Sequence, residues 1–268
     1  MSWKNIKSFL ILLFIIINAY LIFSTRGTIL KKPTITYINS NIMSQVSKVV
    51  KNNYNVDFSP EIVPNSVNNL KNIDVTNIIY TAKFSDSPYE AKINGAGFEI
   101  VLKTDTYSYN ENNAKEQVRK ILNNIGIKQN SFVLESYKSD EGLVCNAYQN
   151  VWNYPVFNGK IKAVCVSSKI TLTGTWYITD SGNSKLPDSN AEMADITSVI
   201  IDASEQCAKS DGSKAKITSI EYGYYVTSHD ESIVSKSSPA IPCYAVKTDE
   251  GLKYYYDASN GKPIKQED

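Results

Sequence analysis

The chain's one histidine, His229, lies in the polar run Ser228-His229-Asp230-Glu231, an order of residues that invites a nucleophilic reading. A Ser-His-Asp hydrolase needs its base held against an activated serine by a rigid scaffold, and the sequence has no Gly-x-Ser-x-Gly elbow. His229 therefore reads as a solvated residue at the tip of a hairpin. The carboxylate pairs Asp140-Glu141 and Asp249-Glu250 each run into a glycine, so turn formation explains them before acid–base chemistry does. Cys145, Cys165, Cys207 and Cys243 are separated by about twenty positions or more, which excludes the Cys-x-x-Cys spacing of redox and zinc sites. Neither phosphate-binding glycine loop is present, and no helix start follows Asn94-Gly95-Ala96-Gly97. No catalytic residue, metal or cofactor is expected.

Tyrosine is the other conspicuous residue, 18 in all, concentrated at Tyr222, Tyr224 and Tyr225 and at Tyr254, Tyr255 and Tyr256. In strands, alternation turns some of these inward and others outward. An outward row of Tyr224, Tyr254 and Tyr256 would make a surface for protein or peptide contact, against the alternative of ordinary strand packing with hydroxyls at the rim. Charge points to no nucleic acid: 28 basic and 27 acidic residues leave a net charge of +1 and no global field.

The elements that must carry these residues begin with an apolar run. Lys4 and Lys7 precede Phe9 to Phe23, interrupted only by Asn18. Residues 6–23 make about 27 Å of helix, enough to cross a bilayer, and no small-x-small cleavage site follows. Residues 1–24 are thus expected to be an uncleaved anchor in the lipid bilayer. Lys4 and Lys7 are balanced by Arg26, Lys31 and Lys32, so orientation rests on the long polar tail, which places the C-terminal part outside the cytoplasm. Trp3 would sit at the headgroup level. Asn18 would either hydrogen-bond to another spanning helix or snorkel to the outer interface.

The remainder reads as α+β. Ile42, Val46, Val49 and Val50 form the stripe of a short helix, followed by strands at 75–84 and 98–104 with a turn cluster between. A second helix carries Ala114, Val118, Ile121, Leu122 and Ile125, with a capping box at Ser108 and Glu111 and a stop at Gly126. Strands follow at 131–138, 142–149, 160–166 and 170–178, with Asn158-Gly159 as a tight turn. A third helix, capped at Ser189 and Glu192, buries Met193, Ile196, Val199, Ile200 and Ala203, and strands at 216–226, 241–247 and 252–257 close the chain. The order predicts a membrane-proximal domain at 25–105 and two helix-plus-antiparallel-meander units at 106–184 and 185–268, each sheet covered on one face by a helix. For the cysteines two readings stay open, disulfides in an exported domain or buried free thiols.

Two stretches resemble a known family. The opening MSWKNIKSFLILLFIIINAYLIF, with Trp3, its lysines and Asn18, resembles the start of the YycI (WalI) family of Gram-positive bacteria. The ending PAIPCYAVKTDEGLKYYYDASNGKPI is similar to the terminal strand pair of YycI, YycH and PepSY-type modules, which leads to Asp-Ala-x-x-Gly, here Asp257 to Gly261. The resemblance implies a non-enzymatic accessory of a WalK (YycG) type sensor histidine kinase that governs cell-wall metabolism. Its anchor helix would contact the kinase and a YycH-like protein. Trp3, Phe14, Asn18 and Tyr20 become the contact candidates within the membrane, and the four cysteines are unusual for the family. The alternative function is a PepSY-like module that captures or inhibits a cell-envelope peptidase through strand edges or the tyrosine surface.

Overall fold

Asn39 starts the first described helix by accepting the backbone N–H of Asn41 at 2.9 Å, and Asn55 ends it in the left-handed region at φ 55°. Between them α1 spans Ser40–Tyr54. The computed structural model describes residues 35–80, 89–94, 97–103, 113–166, 169–179, 193–209, 212–227 and 237–264. The N-terminal segment 1–24 and its candidates Trp3, Phe14, Asn18 and Tyr20 lie outside these, as do His229 and the two expected capping boxes. Among the described residues no helix is long and apolar enough to cross a membrane. The buried stripe of α1 is Met43, Val46 and Val50, whereas Ile42 and Val49 are about half exposed, at 47% and 46%. The helix is rotated from the expected stripe because Met43 supplies a longer apolar side chain to the core than Ile42 does at its edge.

The strands, in chain order, are β1 Ile35–Tyr37, β2 Val56–Asp57, β3 Ser66–Asn68, β4 Ile73–Asn77, β5 Tyr89–Asn94 and β6 Gly97–Lys103. After α2, Ala114–Asn124, come β7 Phe132–Ser139, β8 Gly142–Val151, β9 Tyr154–Val166, β10 Lys169–Thr175 and β11 Tyr177–Thr179. After α3, Ile196–Cys207, come β12 Ala215–Val226, β13 Ser237–Thr248 and β14 Lys253–Asp257. The chain is α+β, with a mostly antiparallel sheet and three described helices. β1 pairs β3 in a separate ribbon, and the other twelve strands form one connected sheet.

That sheet has two halves, each with its own core. One half runs β5-β6-β10-β9-β8-β7, and α2 packs Ala114, Val118, Ile121 and Leu122 against Phe98, Ile100, Leu102, Ala147, Ile161, Ala163, Ile170 and Leu172. The other half centres on β12 and β13, with β4 and β14 following one another along the far edge of β13. There α1 and α3 cover Ile217, Tyr222, Tyr224, Tyr244, Val246 and Tyr256. Asp195 caps α3, accepting the N–H of Thr197 at 3.0 Å. Strands from 25–105 pair with strands of both later segments, β6 with β10 and β4 with β11 and β13, so the three expected segments share one sheet instead of forming separate ones.

The halves meet at a seam made largely by side chains. β9 touches β12 through a single parallel bridge, Val156 to Tyr224. Beside it, Asn158 donates to the carbonyl of Val226 at 2.8 Å and accepts its N–H at 3.0 Å. Gln149 does the same to Tyr177, accepting its N–H at 3.1 Å and donating to its carbonyl. Each amide thus takes the place of a neighbouring strand's peptide group, satisfying backbone groups that the split sheet leaves open. Asn158-Gly159, expected to be a turn, therefore lies inside β9, and the hairpin turns at Trp152 and Asn153, both at positive φ. Gly159 is needed because a Cβ there would collide with the Gln149 side chain. Tyr89–Asn94, read as part of a turn cluster, is an edge strand.

Candidate interaction surfaces

Alternation along β12 and β14 decides which tyrosines are available to a partner. Tyr224 and Tyr256 are fully buried in the core beneath α1 and α3, and Tyr254 is half-buried against the same core. The expected outward row is thus inverted: the residues facing away from the helices are Tyr225 and Tyr255. The reason is that α3 must cover Tyr256, and a one-residue change of phase moves every side chain to the opposite face. Tyr255 stacks on Tyr225 with centroids 5.0 Å apart and on Phe157 at 5.5 Å. By register these rings lie over the small residues Gly223, Cys243 and Ala245, which makes a thin second core on the outer side. Burial, reinforced by Tyr225, Cys243 and Glu221, pushes the Tyr255 phenol up to about 12.

The inward tyrosines keep polar tips because their hydroxyls reach backbone or side-chain groups. Tyr224 donates to the carbonyl of Lys71 at 3.4 Å, Tyr222 accepts the N–H of Leu70 at 3.4 Å, and Tyr154 accepts from Asn68. The hydroxyl of Tyr256 is buried without a hydrogen-bond partner in good geometry among the described residues, and burial followed by the nearby Asp202 carboxylate holds its phenol well above the usual range. The cluster ties the loop at 68–71 to β12, a structural duty.

Several of the described carboxylates are equally committed. Asp57 binds Lys214 and Lys51, the latter at 3.2 Å, and these two ammonium groups hold its carboxyl below the usual range. Glu141 pairs with Lys162 at 2.7 Å, and Glu250 with Lys209 at 2.5 Å. Asp257 accepts Ser259 N–H at 2.8 Å, Ser259 Oγ at 2.7 Å and Asn260 Nδ2 at 2.9 Å, forming the turn that ends at Gly261, φ 72°. All four cysteines are free and buried. Cys145 and Cys165 lie diagonally on β8 and β9, and Cys165 donates to Cys145, which lowers the pKa of the Cys145 thiol and raises that of Cys165. Among the described residues no group of three or more acidic, cysteine or histidine side chains is placed to hold a metal.

One groove stands beside the outer edge of β14. It measures about 320 Å³ and is lined by Gln206, Leu252, Lys253, Tyr254, Tyr255, Pro263 and Ile264. Ile264 donates to the carbonyl of Tyr255 at 2.7 Å and Asp257 to that of Lys262 at 2.9 Å, so residues 262–264 pair with part of this edge. Sequence reasoning missed it because its wall comes from a single antiparallel bridge, Tyr256 to Pro263, at a residue type that ordinarily ends pairing.

No protein-family model matches the chain, and no curated protein matches it. Among solved structures, an uncharacterized protein from Eubacterium rectale is similar over 74% of this chain and 86% of its own, at 10% identity and a TM-score of 0.44.

Proposed function

We propose that the chain is a non-enzymatic, membrane-anchored regulator with an extracytoplasmic domain, working by contact with a sensor histidine kinase of the WalK type and a YycH-like protein. The observation that carries the reading is how the described ionisable groups are used: Asp57, Glu141, Glu250, Asp195 and Asp257 hold turns, caps and ion pairs, and the buried tyrosines hold a loop. A domain whose polar groups serve its own architecture suits a scaffold for contacts. The apolar run of residues 6–23, with Trp3, Phe14, Asn18 and Tyr20, supplies the membrane contacts, and the repeated order of helix and antiparallel meander supplies the exported body. Regulation then is a shift between partner conformations, for which a coupling of about 1–3 kcal/mol suffices.

A second reading, a PepSY-like module that captures an envelope peptidase, is favoured by the β14 groove, where exposed Leu252 and the edge of a strand lie side by side. Co-purification from membranes separates the two. The full chain is compared with Asn18→Leu and with a chain whose residues 9–23 are replaced by an unrelated spanning helix. Recovery of a sensor kinase and a YycH-like protein with the native segment, and their loss on replacement, supports the first reading. A peptidase recovered with both anchors supports the second.

A further inference from the structure

The half of the sheet that carries α2 has a second face, and its cross-strand register is self-complementary. Leu134, Cys145, Ala163, Leu172 and Ile100 belong to the inner rows against α2. The intervening residues face the other way. One outer row, read across β7, β8, β9, β10, β6 and β5, is Glu135, Asn146, Lys162, Thr173, Glu99 and Lys92. The next is Tyr137, Val144, Val164, Thr171, Val101 and Glu90.

Three side chains mark this face as unfinished. Val133, Tyr137 and Val166 are each about half exposed, at 51%, 50% and 48%, and all three lie on it, within a set of large apolar side chains that otherwise mostly turn inward.

We propose that this face packs against the same face of a second copy of the chain, about a two-fold axis running along the strands between β9 and β10. Such an axis through the sheet's centre reverses each row onto itself, so β7 meets β5, β8 meets β6 and β9 meets β10 of the other copy. Glu135 then stands opposite Lys92, Tyr137 opposite Glu90, Lys162 opposite Thr173 and Val164 opposite Thr171. A carboxylate finds an ammonium group, a phenol finds a carboxylate, and nearest the axis lysine and valine find threonines, with no shift along the strands. Stacked sheets lie about 10 Å apart, a gap that glutamate and lysine side chains span. Six strands make a patch about 24 Å wide, of the order needed for the roughly 800 Å² per partner that stable interfaces bury.

The test is sedimentation equilibrium of the full chain in density-matched detergent micelles, with Glu135→Lys and Lys92→Glu. Each substitution places like charges at two symmetry-related contacts, and each is expected to raise the dimer dissociation constant at least about tenfold. An equimolar mixture of the two variants is expected to dimerise as the native chain does. In the mixed pair the lysine introduced at position 135 of one copy meets the glutamate introduced at position 92 of the other, and at the second contact the unchanged Glu135 meets the unchanged Lys92. That recovery also proves both variants folded. Three results would overturn the proposal. The native chain could stay monomeric across a roughly 100-fold range of concentration spanning micromolar values, where stable interfaces of this size associate. Either single variant could dimerise like the native chain, which places the contact in the spanning segment or elsewhere. Or the mixture could stay monomeric.

Discussion

The two halves of the sheet solve the same burial problem with different materials. The half under α1 and α3 buries Tyr222, Tyr224, Tyr244 and Tyr256, while the core under α2 has no buried tyrosine among the described residues and is built of Ile, Leu, Val, Ala and Cys with Phe98, Phe132 and Trp176. The first half is closed on both sides, by helices within and by the rings of Phe157, Tyr225 and Tyr255 without. Among the described residues the second carries a helix on one side only. A sheet with one apolar-and-polar face open to solvent is stable alone, and it is also free to recognise something. The difference teaches that the many tyrosines mark the finished half, and the modest valines and threonines the available one.

The largest effect that would break this comparison is expected in the tyrosine core. Tyr224→Ala should cost about 3–5 kcal/mol, read from denaturant unfolding, as for other buried aromatics, whereas Tyr224→Phe should cost about 1 kcal/mol for the bond to Lys71. Equal costs for the two would show that the hydroxyl, and not the ring, holds the loop. Next in size is the seam. Gln149→Leu leaves the N–H and carbonyl of Tyr177 unpaired and should cost about 2–3 kcal/mol. It should also separate the unfolding of the halves into two transitions, seen by hydrogen exchange at β11 before β12.

Alkaline titration gives a smaller and more selective contrast. The raised phenol of Tyr255 favours its neutral form in the folded protein, so its contribution to stability is complete below the unfolded value near 10 and is lost as pH rises through about 12. Tyrosinate absorbance should therefore rise in two steps, exposed phenols first and the buried set together with unfolding of the tyrosine half. A single step near the ordinary phenol value of about 10 would mean these rings are open to water. Smallest of all, Tyr137→Ser on the open face should change stability by no more than about 0.5 kcal/mol while weakening self-association.

Much of the scaffold was legible from period alone. The stripes Ala114 to Ile125 and Ile196 to Ala203 are buried as their spacing requires, and most strands fall within a few residues of expectation. The failures share a cause: they depend on residues far along the chain. Asn158-Gly159 has the local signature of a turn, but Gln149 and Val226 claim it for the seam. Tyr224 and Tyr256 could not be assigned a face until α3 was placed above them, and β12 also carries an irregularity between Ile217 and Ser219 that alternation cannot anticipate. The open face was invisible because it is a property of register across six strands, four of them separated by α2 from the other two.

The pairing of β4 with β13 sets a schedule for the protein's birth. Ile73 and Asp74 find their partners at Ala240 and Pro239, Val75 and Thr76 add a second partner there to the one they have in β11, and Val56 and Asp57 find theirs at Ala215 and Lys216. A chain emerging N-terminus first holds Val56, Asp57, Ile73 and Asp74 without these partners until most of it has been made, and such distant pairings are slow to form. The domain therefore cannot lock until its last strands exist, so its early segments stay pliable for as long as synthesis lasts.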